Sequence, residues 1–126
     1  RLVSQHPIAK EGVPKDVLIY EVAGPLFFGA AQKAMSALQR VPPGIKVVVL
    51  DLASVPVIDA TGLVSLESAV SRLGQLGIFV VLGGVQEQPL RVLAKSGLHG
   101  HRDHLSVHPG MEEALAVARE VRERTS

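Results

Sequence analysis

A carboxylate, a hydroxyl and a glycine stand together at Asp59, Ala60, Thr61, Gly62 and Leu63, directly ahead of a run of leucines and valines with helical spacing. A side-chain oxygen at such a point caps the first unpaired N–H groups of a helix, so Asp59 or Thr61 is expected to be the N-cap. The same N–H groups carry partial positive charge and are able to hold an anion or a partner's carboxylate. Asp59 competes for those donors and repels a free anion. The segment is therefore expected to serve as a protein-contact patch more than as a small-anion pocket.

Other residues with chemical potential form weaker patterns. His99, His101, His104 and His108 fall close together, and imidazole is a common zinc ligand. The chain has no cysteine, however, and Asp103 is the only carboxylate inside the cluster. A solvated loop leading into an edge strand accounts for the same residues, so no metal site is expected. Ser54, Ser65, Ser68, Ser71 and Ser96 have no histidine in a nucleophile-elbow arrangement. Gly83-Gly84 does not extend to a dinucleotide fingerprint, and Gly24 to Lys33 lacks the Gly-Lys-Ser or Gly-Lys-Thr ending of a phosphate-binding loop. No catalytic residue and no cofactor is expected.

Composition narrows the classes further. The 126 residues carry thirteen Lys and Arg against twelve Asp and Glu, for a formal charge of +1. The aromatic rings are Tyr20, Phe27, Phe28 and Phe79 alone. With neither a basic field nor a stacking surface, nucleic-acid binding is excluded as the main role. A 47% hydrophobic content is enough to build the core of one domain, while no apolar run reaches the roughly 20 residues that cross a bilayer. The chain begins at Arg1 rather than Met, with a polar lead through Lys15, and is expected to be a piece of a longer protein.

The elements that must position Asp59 follow from periodicity. Val47-Val48-Val49-Leu50 is β-branched and continuously apolar, which favours a strand buried on both faces, and such a strand needs helices above and below it. Leu63, Leu66, Val70 and Leu73 recur at three- and four-residue steps and mark a helix packed back onto the sheet, closed by Gly74 and Gly77. Val17 to Val22 reads as a strand. Gly24-Pro25 reads as a turn that returns Leu26-Phe27-Phe28 antiparallel to it. Gly29 opens a helix that carries Ala30, Ala31, Ala34, Met35 and Leu38 and stops at Pro42-Pro43-Gly44. Ile78 to Leu82 is another buried strand, Pro89 to Ala94 a short helix capped by Ser96-Gly97-Leu98, and Leu105 to Val107 a weak last strand. Met111, Leu115, Ala118 and Val121 form one stripe of a final helix. The expected fold is an α/β sandwich with a mostly parallel sheet of four to five strands, an N-terminal antiparallel hairpin and about four helices.

These residues resemble the STAS domain, shared by SulP-type anion transporters and bacterial anti-sigma-factor antagonists. The resemblance rests on Asp51-Leu52 through Val57-Ile58-Asp59-Ala60-Thr61-Gly62-Leu63 and on Gly24-Pro25-Leu26-Phe27-Phe28-Gly29-Ala30-Ala31, the second of which is similar to the transporter branch. It implies residues 1–16 as a lead-in or linker and 17–124 as the domain, on the cytoplasmic face of the inner or plasma membrane. It implies the transmembrane part of the same transporter as partner, and admits a homodimer, a cytosolic protein or a nucleotide. In the antagonist branch the residue after the signature aspartate is a serine that a partner kinase phosphorylates. Here Ala60 stands there without a hydroxyl, and Thr61 is the one candidate phosphosite beside it.

The reading that follows is a regulatory and protein-interaction domain of a SulP-type transporter for sulfate, bicarbonate or dicarboxylates, acting by docking without catalysis. The alternatives are a free-standing antagonist-like protein, which lacks its serine, and a nucleotide-binding module, which lacks any motif in its favour.

Overall fold

The computed structural model describes residues 13–98, 101–102 and 104–124. Five strands form one sheet: β1 (Val17–Ala23), β2 (Val47–Ser54), β3 (Phe79–Gly83), β4 (His101–Arg102) and β5 (Leu105–Val107), in the order β1-β2-β3-β5-β4. The first four positions in that order run parallel, and β4 closes the edge antiparallel to β5. Four helices accompany them: α1 (Phe28–Ser36), continued by a 3₁₀ turn over Ala37–Arg40, α2 (Ala60–Gln75), α3 (Glu87–Lys95) and α4 (Met111–Arg124).

The side chains of β2 alternate between two cores. Val48, Leu50 and Leu52 meet Met35 and Leu38 near α1, Leu66, Val70 and Leu73 of α2, and Leu93 of α3. Val47 and Val49 face the other way, onto Met111, Ala114, Leu115, Ala118 and Val121 of α4. Every residue from Val47 to Leu50 is fully buried, as the continuous apolar run requires of a strand covered on both sides. Glycines end two helices as the sequence suggests. Gly77 (φ 79°) and Gly97 (φ 89°) take left-handed conformations, and the next residues, Ile78 and Leu98, donate their N–H groups to Leu73 and Leu93.

The structure corrects two expectations. Leu26-Phe27-Phe28 does not fold back on β1 as a hairpin. Leu26 forms a parallel bridge with Ile58, its N–H donates to the Val57 carbonyl, and its own carbonyl accepts from Asp59 N–H. Gly24 (φ 85°) redirects the chain only enough to bury Leu26 beside the loop ahead of α2, and Phe28 already belongs to α1. Leu105 to Val107 is not the edge strand, because His101–Arg102 covers it from outside.

One ion pair joins the start of the fold to its last helix. The Arg122 guanidinium donates to Asp16 at 2.5 Å, and Lys46 stands 3.8 Å from the second Asp16 oxygen. The hydrogen bond from Arg122 is the main reason that the Asp16 carboxyl lies below its ordinary range. A carboxylate depressed in the folded state adds stability above the unfolded value of about 3.9 and loses it as pH falls through the folded value. Asp16→Asn is therefore expected to flatten the decline of stability below about pH 4 while leaving its slope near neutrality unchanged. Urea unfolding of both proteins from neutrality down through the range below about pH 4 measures it, and identical acid limbs would refute the assignment.

Candidate functional site

The loop from Val55 to Asp59 carries the chain from the end of β2 to the start of α2. Asp51 is buried within β2, and its Oδ1 accepts the Ala53 N–H at 2.9 Å. Gln88 of α3 grips the loop with its amide: Oε1 accepts the Ile58 N–H at 2.9 Å and Nε2 donates to the Ile58 carbonyl at 3.1 Å. Gln86 donates from Nε2 to the Ala53 carbonyl at 2.7 Å. Leu26 closes the loop from the other side through the contacts described above. Asp59 is thus held by two neighbouring segments before α2 begins.

Asp59 is the N-cap of α2. Its Oδ1 accepts the Gly62 N–H at 2.7 Å and the Thr61 hydroxyl at 2.7 Å, and its backbone carbonyl takes the Leu63 N–H as the first bond of the helix. The Gly62 N–H, followed by the Thr61 hydroxyl, holds the Asp59 carboxyl below its usual range. Of the donors that a free anion would use, the Gly62 N–H and the Thr61 hydroxyl are therefore already engaged by a carboxylate.

The five expected site residues occupy one turn but not one surface. Ala60 and Thr61 are exposed, Asp59 and Leu63 are half-buried, and Gly62 is buried. Gly62 lies inward because α2 passes against the Leu26 backbone there: a Cβ on Gly62 would stand 1.9 Å from the Leu26 carbonyl oxygen. Two exposed apolar side chains flank the corner, Phe27 at the N-cap of α1 and Val64 in the first turn of α2.

The two histidines whose side chains are described differ in setting. His99 lies outside the described residues, His104 is exposed, and His108 is buried. Among the described residues no group of three His, Asp or Glu side chains is placed to hold a metal. The solvated-loop reading fails for His108. Its Nδ1 lies 2.8 Å from the Glu113 carboxylate and its Nε2 lies 2.9 Å from Ser106 Oγ. An ionised carboxylate only accepts, so Nδ1 donates to Glu113, and in the neutral ring Nε2 accepts from the Ser106 hydroxyl. Sequence reasoning missed this chain. Its signal was the Ser-x-His spacing, which puts both residues on one face of a strand, with an acid in the first turn of the next helix. The order is that of a serine–histidine–acid relay, but Ser106 has no exposed surface and so offers no approach to a substrate carbonyl.

A mostly parallel sheet with α1, α2 and α3 on one face and α4 on the other, and an aspartate-capped helix following β2, is the architecture of a STAS domain. The chain belongs to that family, whose profile matches residues 9–114. Its relatives include sulfate and SulP transporter proteins. A solved structure described as a sulfate transporter family protein from Wolinella succinogenes is 33% identical, with a TM-score of 0.79 over 94% of this chain and 98% of that one. The STAS domain of a SulP transporter from Vibrio cholerae is 28% identical, with a TM-score of 0.73 over 90% of this chain and 88% of that one. "Putative sulfate transporter YvdB" of Bacillus subtilis (strain 168) is 29% identical over 94 residues, which cover 74% of this chain and 18% of that protein. The chain thus spans less than a fifth of that relative's length. Among the described residues, no helix is long and apolar enough to cross a membrane.

Proposed function

We propose that this chain is the cytoplasmic regulatory domain of a SulP-type secondary anion transporter, within residues 17–124, and that it works by docking and not by turnover. The observation that carries the reading is the corner ahead of α2. Asp59 takes the Gly62 N–H and the Thr61 hydroxyl for itself, which supports a docking role over anion capture, while Ala60 and Thr61 are exposed beside the apolar Phe27 and Val64. Such a patch suits contact with protein. Its partner in this reading is the membrane part of the same transporter, which selects sulfate, bicarbonate or a dicarboxylate. Docking regulates transport only if the domain binds two transporter states unequally.

Ala60 speaks against the kinase-operated switch of the antagonist branch. Thr61 also suits a helix start better than a phosphosite. Its hydroxyl is spent on Asp59, and a phosphate there would stand against that carboxylate.

The test is a photo-crosslinking amino acid in place of Ala60 in the full-length transporter, in membranes, with one in place of Lys95 as reference. Crosslinks from position 60 to the membrane part, changing in yield when a transported anion is added, are expected. The absence of crosslinks, or equal yields from both positions, overturns docking at this corner. The same digests read Thr61 by mass spectrometry, where stoichiometric phosphate would restore the switch.

A further inference from the structure

Between α1 and α2, on the side away from the sheet, runs a groove of about 730 Å³. It exists because α2 turns small residues toward it, Ser65, Ser68 and Ala69, so the two helices meet below the surface and leave a trench above. Its floor is apolar, with Met35, Leu38 and Leu73 buried beneath it and the exposed Val64 at one end. It extends over Gly29 to Gln39, about 15 Å of helical rise, or roughly three turns.

Its charge is one-sided. Lys33 and Arg72 line it, and no carboxylate does. Some cations elsewhere have acids: Lys46 and Arg122 stand at Asp16, Arg91 at Glu87, and Arg124 at Glu120, while Lys15, Arg40, Lys95 and Arg119 have none among the described residues. Lys33 and Arg72 have no carboxylate partner among the described residues. Arg72 is instead steered across the trench by a hydrogen bond from Nη2 to the Gln39 carbonyl, at 3.3 Å.

We propose that this groove receives an acidic amphipathic helix from a partner protein, its apolar face on the floor and its carboxylates toward Lys33 and Arg72. The three-turn length fits a helical segment, whereas a small anion would use only the rim and leave the floor uncovered. An anionic membrane needs cations projecting from a face, and these line a trench. The groove touches the Asp59 corner at Val64, but Lys33 and Arg72 lie outside that corner and Ala60 and Thr61 outside the groove, so either can fail while the other stands.

The probe is a fluorescein-labelled amphipathic peptide of about 15 residues built from Leu, Ala and Glu, followed by fluorescence anisotropy at low salt. Lys33→Glu with Arg72→Glu is compared with Lys95→Glu plus Arg119→Glu, which changes the net charge equally at exposed positions outside the groove. Saturable binding is expected, weakened about tenfold or more by the groove pair and by Gln in place of every Glu of the peptide, and changed less than about twofold by the control pair. Both variants should melt with the wild type, since all four side chains are exposed. Several results overturn the proposal: no saturable binding, equal losses from both pairs, or a peptide indifferent to Gln. So does transfer of the groove effect to phosphatidylserine vesicles, which assigns the groove to lipid. A concentration-dependent dimer abolished by the groove pair assigns it to a second copy.

Discussion

Gly62→Ala is expected to destabilise the fold by about 3 kcal/mol or more, a fall in melting temperature of roughly 10 °C. The new methyl group would lie 1.9 Å from the Leu26 carbonyl oxygen and 2.8 Å from its carbon, both backbone atoms. Neither yields easily, because Leu26 is bonded to Val57 and Asp59 and buried in the core. Relief requires α2 to move away from the β1–α1 connection, which breaks the 2.7 Å cap between Asp59 and Gly62. Gly29→Ala is the matched control. It also places alanine near the start of a helix, but a Cβ there meets nothing within 4 Å. Its effect is expected to be neutral or slightly stabilising, since alanine loses less backbone freedom than glycine. Urea unfolding of the pair decides the matter, and a Gly62→Ala change within about 0.5 kcal/mol of wild type would mean that the close approach to Leu26 is not rigid.

His108→Ala is expected to cost about 2–4 kcal/mol, from the cavity left by the ring and from the Ser106 hydroxyl stranded without a partner inside the protein. Ser106 has no exposed surface, and its described side-chain partner is this ring. Glu113 contributes less, because its side chain is mostly exposed and water replaces the lost contact. Ser106→Ala should therefore be milder than His108→Ala, and Glu113→Gln milder still. A fluorophosphonate probe separates a structural chain from a hidden hydrolase. The intact protein should leave Ser106 unlabelled, and labelling at that residue would make the serine a nucleophile and the whole reading wrong.

Much of the architecture can be read from local pattern. Val47 to Leu50 demanded cover on both faces and has it, and the stripes on α2 and α4 point at the sheet as their spacing requires. Helix ends were legible for the same reason, since glycines at positions 77 and 97 leave few alternatives to a left-handed cap. The aspartate cap was one of two choices that the residue types allowed. Long-range pairing was not legible. Gly24-Pro25 signals a turn whichever way the chain then goes, and the partner that captures Leu26 is Ile58, far along the sequence. Gln88 looked like helix surface because its role depends on an unpaired loop amide beside it. The Ser106–His108–Glu113 chain and the trench between α1 and α2 share that character, since both arise where two elements meet.

The contact between Asp16 and Arg122 has a mechanical side. It ties the segment that leads into an edge strand to the far end of the helix covering the opposite face of the sheet. Separating β1 from β2 therefore also requires breaking its tie to α4, so the edge strand is held from two sides.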